Sequence, residues 1–487
     1  MSQDKAYAQA LSNKTTDFSG WYNDVVMRAE LAEDAPVRGC MVVRPYGWTL
    51  WENSQSILDR KFKETDVVNA AFPLLIPRSF LVKESDHVEG FVPEVAWVTQ
   101  VGSGQEELAE PLAVRPTSEA IIGPIYSKWV QSYRDLPILI NQWCSVVRWE
   151  KRPRLFLRTS EFWWQEGHTA HATQEEAEER TRMMLEVYRS FLEDDMAIPV
   201  VPGLKSEAQK FPGALRTYTV EAMMGDGRAL QAGTSHNLGD HFARAYDIQF
   251  LDESNERQYA WTTSWGMSTR IIGAMVMVHG DQQGLILPPR VAPHQAVIIP
   301  IWRADDQKAS VLEAANRVAS TLKSAGIRIK VDASDGKSAG WKFNEWELKG
   351  VPVRIEIGPR DVENNSVVLA RRDRPGKEGK QFVSQDGLAL QVAALLVDIQ
   401  GAMFSKALAF REENTVTVKS EQELAEAIKT RKFALAFWSG DPEGEERIKQ
   451  ATGATTRCIP LDQSGTEGTC ITTGKPTTQQ AIFARAY

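Results

Sequence analysis

Cysteine is scarce in this chain. Its four residues, Cys40, Cys144, Cys458 and Cys470 among 487, are too scattered for a disulfide framework, which fits a reducing compartment. Long apolar runs are missing as well: Ile271 to Val278 is the longest candidate, against the roughly 18 residues that a membrane helix needs. The opening M-S-Q-D-K-A-Y-A-Q-A carries no apolar segment of the kind a secretory signal requires. A cytoplasmic protein with no membrane partner is expected. Positive charge is not in excess either. A net charge of -8 excludes a surface coated in basic residues, so a nucleic-acid partner would have to be met by local patches. What is present is ordinary for a globular chain: 43% hydrophobic and 25% charged residues, in a length that suits two to four domains.

The densest chemistry lies between Arg148 and His168, R-W-E-K-R-P-R-L-F-L-R-T-S-E-F-W-W-Q-E-G-H. Residues 142–149 and 156–164 are rich in β-branched and aromatic side chains and flank a charged, proline-broken turn at 151–154, the pattern of strand, loop and strand. Arg148 and Arg158 would project from facing strands as forks for phosphate or carboxylate oxygens, and Phe162 offers a flat face to a purine. Any one of these residues suits a core hairpin with surface arginines. The set does not, because Arg148, Glu150, Arg158, Glu161 and Glu166 would be expensive company for five aromatic rings.

Residues 18–33 have the spacing of an amphipathic helix capped by Ser19 or Asp17. R-G-C-M-V-V-R-P-Y-G-W reads as a short strand closed by a Pro and Gly turn, 48–64 as a helix, and N-A-A-F-P-L-L-I-P as extended, because Pro73 and Pro77 bar a helix. At 111–125 a strand runs into a helix whose first turn holds Thr117, Ser118 and Glu119, types that also serve as a cap. Thr173 and Glu176 form a capping box for a helix to about Glu193, its apolar stripe assigned to core. In A-L-Q-A-G-T-S-H-N-L-G, 229–239, small residues allow close approach of a ligand, and Gln231, Thr234 and His236 would line one face. Residues 261–281 read as strand, glycine turn and apolar helix, with Arg270 at the helix opening, where an anion also meets the dipole.

Leu287-Pro288-Pro289-Arg290 marks the main domain boundary. Beyond it, strands at 295–301, 327–331 and 351–357 alternate with a helix at 305–325, implying a parallel α/β sheet of about 110 residues. No G-x-G-x-x-G follows its first strand, which argues against a dinucleotide site. The run R-R-D-R-P-G-K-E-G-K, 371–380, is a basic loop beside a Pro-Gly turn. From about Phe410, a helix near 421–432 and the strand F-A-L-A-F-W form a smaller unit.

An arginine, one residue and an acid, then a loop, then Arg-x-x-x-Phe resembles motif 2 of class II aminoacyl-tRNA synthetases, and L-R-T-S-E-F-W-W-Q-E-G-H resembles the prolyl-tRNA synthetases in particular. The long helix and the strand bearing Pro73 are similar to motif 1, which lies at the dimer interface in that class. G-M-S-T-R resembles motif 3, R-P-T-S-E the loop that holds the substrate amine, and W-K-F-N-E-W-E-L-K-G-V-P-V-R-I-E-I-G-P-R-D the anticodon-binding domain of the prolyl, threonyl, histidyl and glycyl enzymes. The resemblance implies a catalytic α+β domain with an antiparallel sheet at 1–289, an α/β anticodon-binding domain at 290–408, and a C-terminal zinc-binding-like α/β domain at 409–487. In that last domain relatives carry four cysteines; here the matching positions are Ser439, Gly444, Cys470 and Thr473, and one thiolate cannot hold a tetrahedral zinc. No structural zinc is expected. Only 64 residues separate Glu166 from Gln231, too few for the editing domain that many bacterial relatives insert there.

Carried over position by position, the resemblance implies that Arg148 bridges the α-phosphate of ATP and the amino-acid carboxylate. Glu150 and Thr159 would hold adenine, with Phe162 beneath it and Arg270 on the other ring face or the γ-phosphate; Arg158 would help neutralise the triphosphate, Gln231 and Thr234 would reach phosphate, ribose or Mg²⁺, and Ser268 would also bind ATP. Thr117, Glu119 and His236 would address the imino nitrogen of L-proline, with Trp164, Glu166 and His168 shaping the ring pocket. Phe343, Glu347 and Arg354 are the anticodon-side candidates for tRNA(Pro). A homodimer is implied. The rival expectations are a synthetase paralogue with altered chemistry and a non-catalytic tRNA-binding regulator.

Overall fold

The computed structural model describes residues 11–87, 94–103, 106–463 and 465–487. The reading of residues 1–10 lies outside them. An eleven-stranded sheet forms the spine of the molecule. Its central strands Val200–Leu204, Arg216–Met223, Ala229–Gly239, Trp261–Ser268, Glu161–His171 and Ile138–Val147 pair antiparallel in that spatial order, and Val68–Asn69 adds a short parallel edge.

The helices Pro45–Lys63, Gln174–Ser190 and Arg270–His279 contribute to one apolar core with this sheet. Phe62, Tyr188 and Trp265 meet there; the Phe62 and Trp265 rings are 4.8 Å apart. Burying each such side chain contributes about 1.5–3 kcal/mol, so the back of the sheet is stiff. Arg270–His279 is buried almost all round, which is why its sequence reads as an unbroken apolar run. Asp17, not Ser19, caps the first helix, Phe18–Arg28, by accepting from Gly20 N–H. The second helix starts at Pro45, three residues before the expected Trp48, because proline fits the first helical turn where no N–H partner is needed.

The hairpin around Arg148 differs from the expected one. Its strands are Ile138–Val147 and Glu161–His171, so Arg148 stands just past one strand end and Arg158 lies in the connecting loop. That loop turns on Phe156, whose φ of 62° is incompatible with a strand, and is pinched by paired bonds between the Arg154 and Arg158 backbones.

The second unit has a five-stranded sheet in the order Ile329–Val331, Ala296–Pro300, Val353–Ile357, Ser366–Arg371, Lys380–Ser384. The three strands expected from sequence are parallel; the two added at one edge are antiparallel, so the sheet is mixed. The expected division at 408/409 falls inside one helix, Leu388–Glu413. That helix is apolar enough by composition to cross a membrane, yet it packs Leu388, Val392, Leu396, Ile399 and Met403 into the core of this unit. In the basic loop, Arg371 pairs with Asp373 and Asp398, and Arg372 forks onto Asp281 of the first unit at 2.6–2.8 Å. Both arginines are buried, so two of the five cations brace the structure; Arg374 and Lys377 are exposed.

The C-terminal strands do not form a separate sheet. Thr455–Pro460 pairs with Val200–Leu204, so Thr415–Val418, Phe433–Phe437, Gln480–Ala484 and Thr455–Pro460 continue the sheet of the first unit. At the zinc-like positions, Ser439 donates to Cys470 Sγ through N–H and hydroxyl at 3.4 and 3.3 Å, and Thr472 Oγ1 lies 3.3 Å away. Burial opposes ionisation of this thiol, but the hydroxyls of Ser439, Thr472 and Thr473 and the Ser439 N–H outweigh it and bring its pKa down to about 6. One sulfur among hydroxyls does not fit a tetrahedral zinc.

Candidate active site

A cavity of about 310 Å³ opens on the face of the central sheet. Twelve of the fifteen residues expected at a proline and ATP site line it: Thr117, Glu119, Arg148, Phe162, Trp164, Glu166, His168, Gln231, Thr234, His236, Ser268 and Arg270. Glu150, Arg158 and Thr159 do not. Arg158 is largely exposed and ion-pairs with Glu150 at 3.4 Å, while Thr159 is buried with its hydroxyl donating to the Glu161 carbonyl.

Gln231 and Thr234 differ in parity and would face opposite ways on a regular strand. A bulge resolves this: Val220 pairs with Gly233 and Glu221 with Gln231, so Ala232 is skipped and both side chains reach the cavity. Gly167 is required by close approach, since a Cβ there would sit 2.0 Å from the Trp265 ring.

One wall is a buried carboxylate and imidazole cluster. Both Glu166 oxygens are saturated. Oε1 accepts from the Ser118 hydroxyl and from Gln142 Nε2 at 2.9 Å; Oε2 accepts from Ser118 N–H at 3.1 Å and faces His168 Nε2 at 3.1 Å. Burial alone would raise this carboxyl, but the bonds from His168, Ser118 and Gln142 and the His168 charge bring it to about 2. His168 is driven the other way. Burial opposes its charge, and the bond to Glu166 with the carboxylates of Glu119 and Glu166 lifts its pKa above 6.5. Glu119 accepts from the Thr117 hydroxyl. Donor atoms of Glu119, Glu166 and His168 lie within 4.8 Å of one another. With Glu166 already fully committed, the cluster suits an ammonium-type ligand better than a metal ion, which needs open lone pairs.

His236 is different: burial and the neighbouring His168 charge push its pKa down to about 3, so it stays neutral, with Nδ1 3.0 Å from Thr217 Oγ1. The other wall is cationic. Arg148 is fixed through Nε to the Pro116 carbonyl at 2.8 Å and stacks over Trp164 and Phe162, 5.1 and 5.6 Å from their centroids. Arg270 donates to the Leu157 carbonyl at 3.1 Å and the Gln231 carbonyl at 3.5 Å. Burial, with the charges of Arg148 and Arg158, lowers Arg270 to about 10. This is a field prepared for an anion.

Sequence reasoning missed the segment Gln209, Lys210, Phe211 and Pro212, which also lines the cavity; the Phe211 ring lies 4.7 Å from that of His236. Its one signal is the Lys-Phe-Pro-Gly turn, which is not specific.

Phe343, Glu347 and Arg354 meet in the second unit, beside the small cluster of Val297, Ile299, Trp346 and Val351. Arg354 bonds Glu347 at 2.6 Å and Glu356 at 3.0 Å, with the Phe343 ring 4.1 Å from its guanidinium. Lys380 reaches Glu356 at 2.8 Å, and Phe382, in the same sheet row through Val368, is 80% exposed.

Comparison with known proteins follows this geometry. Residues 98–279 match the tRNA synthetase class II core domain (G, H, P, S and T), 295–385 the anticodon binding domain, and 421–487 the C-terminal domain of prolyl-tRNA synthetase. The proline--tRNA ligase of Chloroflexus aggregans is 59% identical over 481 residues, covering 98% of this chain and 99% of the relative. The chain belongs to the prolyl-tRNA synthetase family. The family's Porphyromonas gingivalis member (strain W83) is 54% identical over 489 residues, with 98% and 99% coverage. The crystal structure of the prolyl-tRNA synthetase from Cryptosporidium parvum complexed with halofuginone and AMPPNP superposes with a TM-score of 0.93 at 42% identity, covering 98% and 99% of the two chains. Within the family fold, the cavity sits between strands of the class II core, whose matched span contains all of the twelve lining residues named above.

Proposed function

We propose that this chain is a proline--tRNA ligase, which activates L-proline with ATP to prolyl-adenylate and transfers the prolyl group to tRNA(Pro). The observation that carries this reading is one cavity with a cationic wall of Arg148 and Arg270 beside a carboxylate and imidazole wall of Glu119, Glu166 and His168. Activation is an in-line attack of the proline carboxylate on the α-phosphorus of ATP, with diphosphate leaving. Two anions must meet while charge grows on phosphate oxygens, and preorganised arginines supply the compensating field without a covalent protein intermediate. Arg148 bridges the carboxylate and α-phosphate, and Arg270 meets the outer phosphates or the adenine face. Thr117, Glu119 and His236 receive the imino nitrogen; Trp164, Glu166 and His168 enclose the ring. Phe162 is the purine platform. Glu150, Thr159 and Arg158 act at the loop rim, where closure over ATP would bring them in. Mg²⁺, when bound, would supply charge neutralisation at the triphosphate, and Gln231 would offer it an amide oxygen.

The tRNA meets the second unit at Phe343, Glu347 and Arg354, joined by Glu356, Lys380 and Phe382. The protein works in the cytoplasm as a homodimer. Support for a dimer comes from large apolar side chains left exposed, Val68 on the sheet-edge strand Val68–Asn69 and Leu74, Leu75, Trp97 and Trp129 elsewhere in the first unit; sedimentation of the purified protein at monomer mass would refute it. ATP-diphosphate exchange with each of the twenty amino acids tests the activity. Proline should drive it, with alanine weaker because a smaller side chain loses only about 1–3 kcal/mol of contact. No exchange with any amino acid would overturn the reading.

A further inference from the structure

We propose that the C-terminal unit positions the cavity loop 205–213, acting through Glu445 and Arg457, neither of which lines the cavity. This rests on the reading of the cavity as the proline site. The loop leaves the sheet at Leu204, and its first two side chains turn away from the cavity toward the C-terminal unit. Lys205 Nζ bonds the Arg457 carbonyl at 2.8 Å and Glu221 Oε1 at 2.6 Å, and Arg457 reaches Glu221 Oε2 through Nε and Nη2 at 3.1 and 3.0 Å. Ser206 Oγ donates to Glu445 Oε1 at 2.8 Å. All five residues are buried.

The strand beneath is held by the same unit. Leu204 pairs with Ile459 and Gly203 with Pro460, and a Cβ on Gly203 would lie 2.6 Å from Cys458 Cβ and 2.7 Å from the Ile459 carbonyl oxygen. The fit is therefore close enough to demand glycine. From Ser206 the path to the ligand is short: its carbonyl accepts from Gln209 and Lys210 N–H at 3.0 and 2.9 Å, forming the turn that delivers those residues to the cavity. Phe211 N–H then bonds Thr217 Oγ1 at 2.9 Å, the hydroxyl that faces His236. Burying Glu445, Glu221, Lys205 and Arg457 is costly, and apolar packing would hold two units together as well. Directional bonds to the loop root do what apolar packing cannot: they fix where Phe211 stands against His236, and small displacements of such groups weaken substrate positioning.

The test uses full-length protein and the variants Ser206→Ala, Glu445→Ala, Glu445→Gln and the Ser206→Ala/Glu445→Ala double. In ATP-diphosphate exchange, each alanine variant should raise the KM for proline about fivefold to tenfold while the KM for ATP stays within about twofold. The double variant should be no worse than either single, because both remove one bond; Glu445→Gln, which keeps an acceptor oxygen, should stay near the parent. Equal losses toward proline and ATP that track a fall in thermal midpoint would overturn the proposal, as would an unchanged proline KM. Hydrogen exchange of residues 206–213 needs no turnover. Faster exchange in Glu445→Ala than in the parent supports the positioning role, and equal exchange refutes it, even if the parent protein showed no proline-dependent activity and the functional reading fell.

Discussion

Replacing Glu166 by glutamine keeps the shape of the cavity wall and changes one oxygen to an amide NH₂. Neither position can accept that change. At Oε1 the amide would face the Gln142 amide, whose orientation is pinned because its own oxygen accepts from Phe72 N–H at 2.7 Å, as well as the Cys144 thiol at 3.4 Å. At Oε2 it would face the fixed Ser118 N–H at 3.1 Å. One buried donor is left opposed to another, and the charged partner of His168 is gone. The cost is about 3 kcal/mol, an unsatisfied buried donor plus a broken buried ion pair, discounted because His168 can give up its proton. In a unit of 150–250 residues that lowers the thermal midpoint by roughly 6–12 °C. Function should suffer through the same bond, since Ser118 lies between Thr117 and Glu119: the KM for proline should rise at least about tenfold, by the ~1.4 kcal/mol per decade rule, more than the KM for ATP. Thermal melting with ATP-diphosphate exchange checks both. A midpoint within a degree of the parent and an unchanged proline KM would refute the saturated-carboxylate argument.

Arg148→Ala and Arg270→Ala should each lower kcat for exchange by about 10² to 10³, as expected for losing one charge-stabilising donor, with the melting temperature near that of the parent. His168 gives a pH signature with a defined sign. Its folded pKa is raised above 6.5, so its stabilisation is complete below that value and is lost as pH rises through the raised one; the stability advantage of the parent over His168→Asn should narrow as pH rises above about 6.5. An advantage that widens with pH would refute it. On the anticodon side, Phe382→Ala should raise the KM for tRNA(Pro) in aminoacylation, a stacked base being worth about 1–3 kcal/mol, and Phe382→Trp should restore it.

The cavity was legible in sequence wherever chemistry is carried by residue type. Glu119 and Glu166 are poor choices for plain packing at buried positions, Arg148 and His236 stand beside them at the cavity, and the segment 229–239, singled out for its side-chain chemistry, proves to be one strand. The hairpin was misread because Leu155, Phe156 and Leu157 look like strand residues but are buried from a loop, with Phe156 in the left-handed region. Arg371 and Arg372 looked like plain basic surface because sequence does not reveal that Asp281, 91 residues from Arg372, neutralises one of them. The joining of the C-terminal strands to the central sheet left no trace at all: pairing of Ile459 with Leu204 depends on register between distant strands, which local patterning does not encode.

That junction also sets a timetable for synthesis. Leu204 leaves the ribosome about 250 residues before Ile459, which at 5–20 residues per second is a wait of roughly 12 to 50 s. Through that interval the strand Val200–Leu204 has Arg216–Met223 on one side and nothing on the other. A nascent chain carrying such an open edge is a template for unwanted strand pairing. The outer strand is guarded by its own composition: Pro202 and Gly203 interrupt V-V-P-G-L, shortening the stretch on which a foreign strand could dock until its proper neighbour is made.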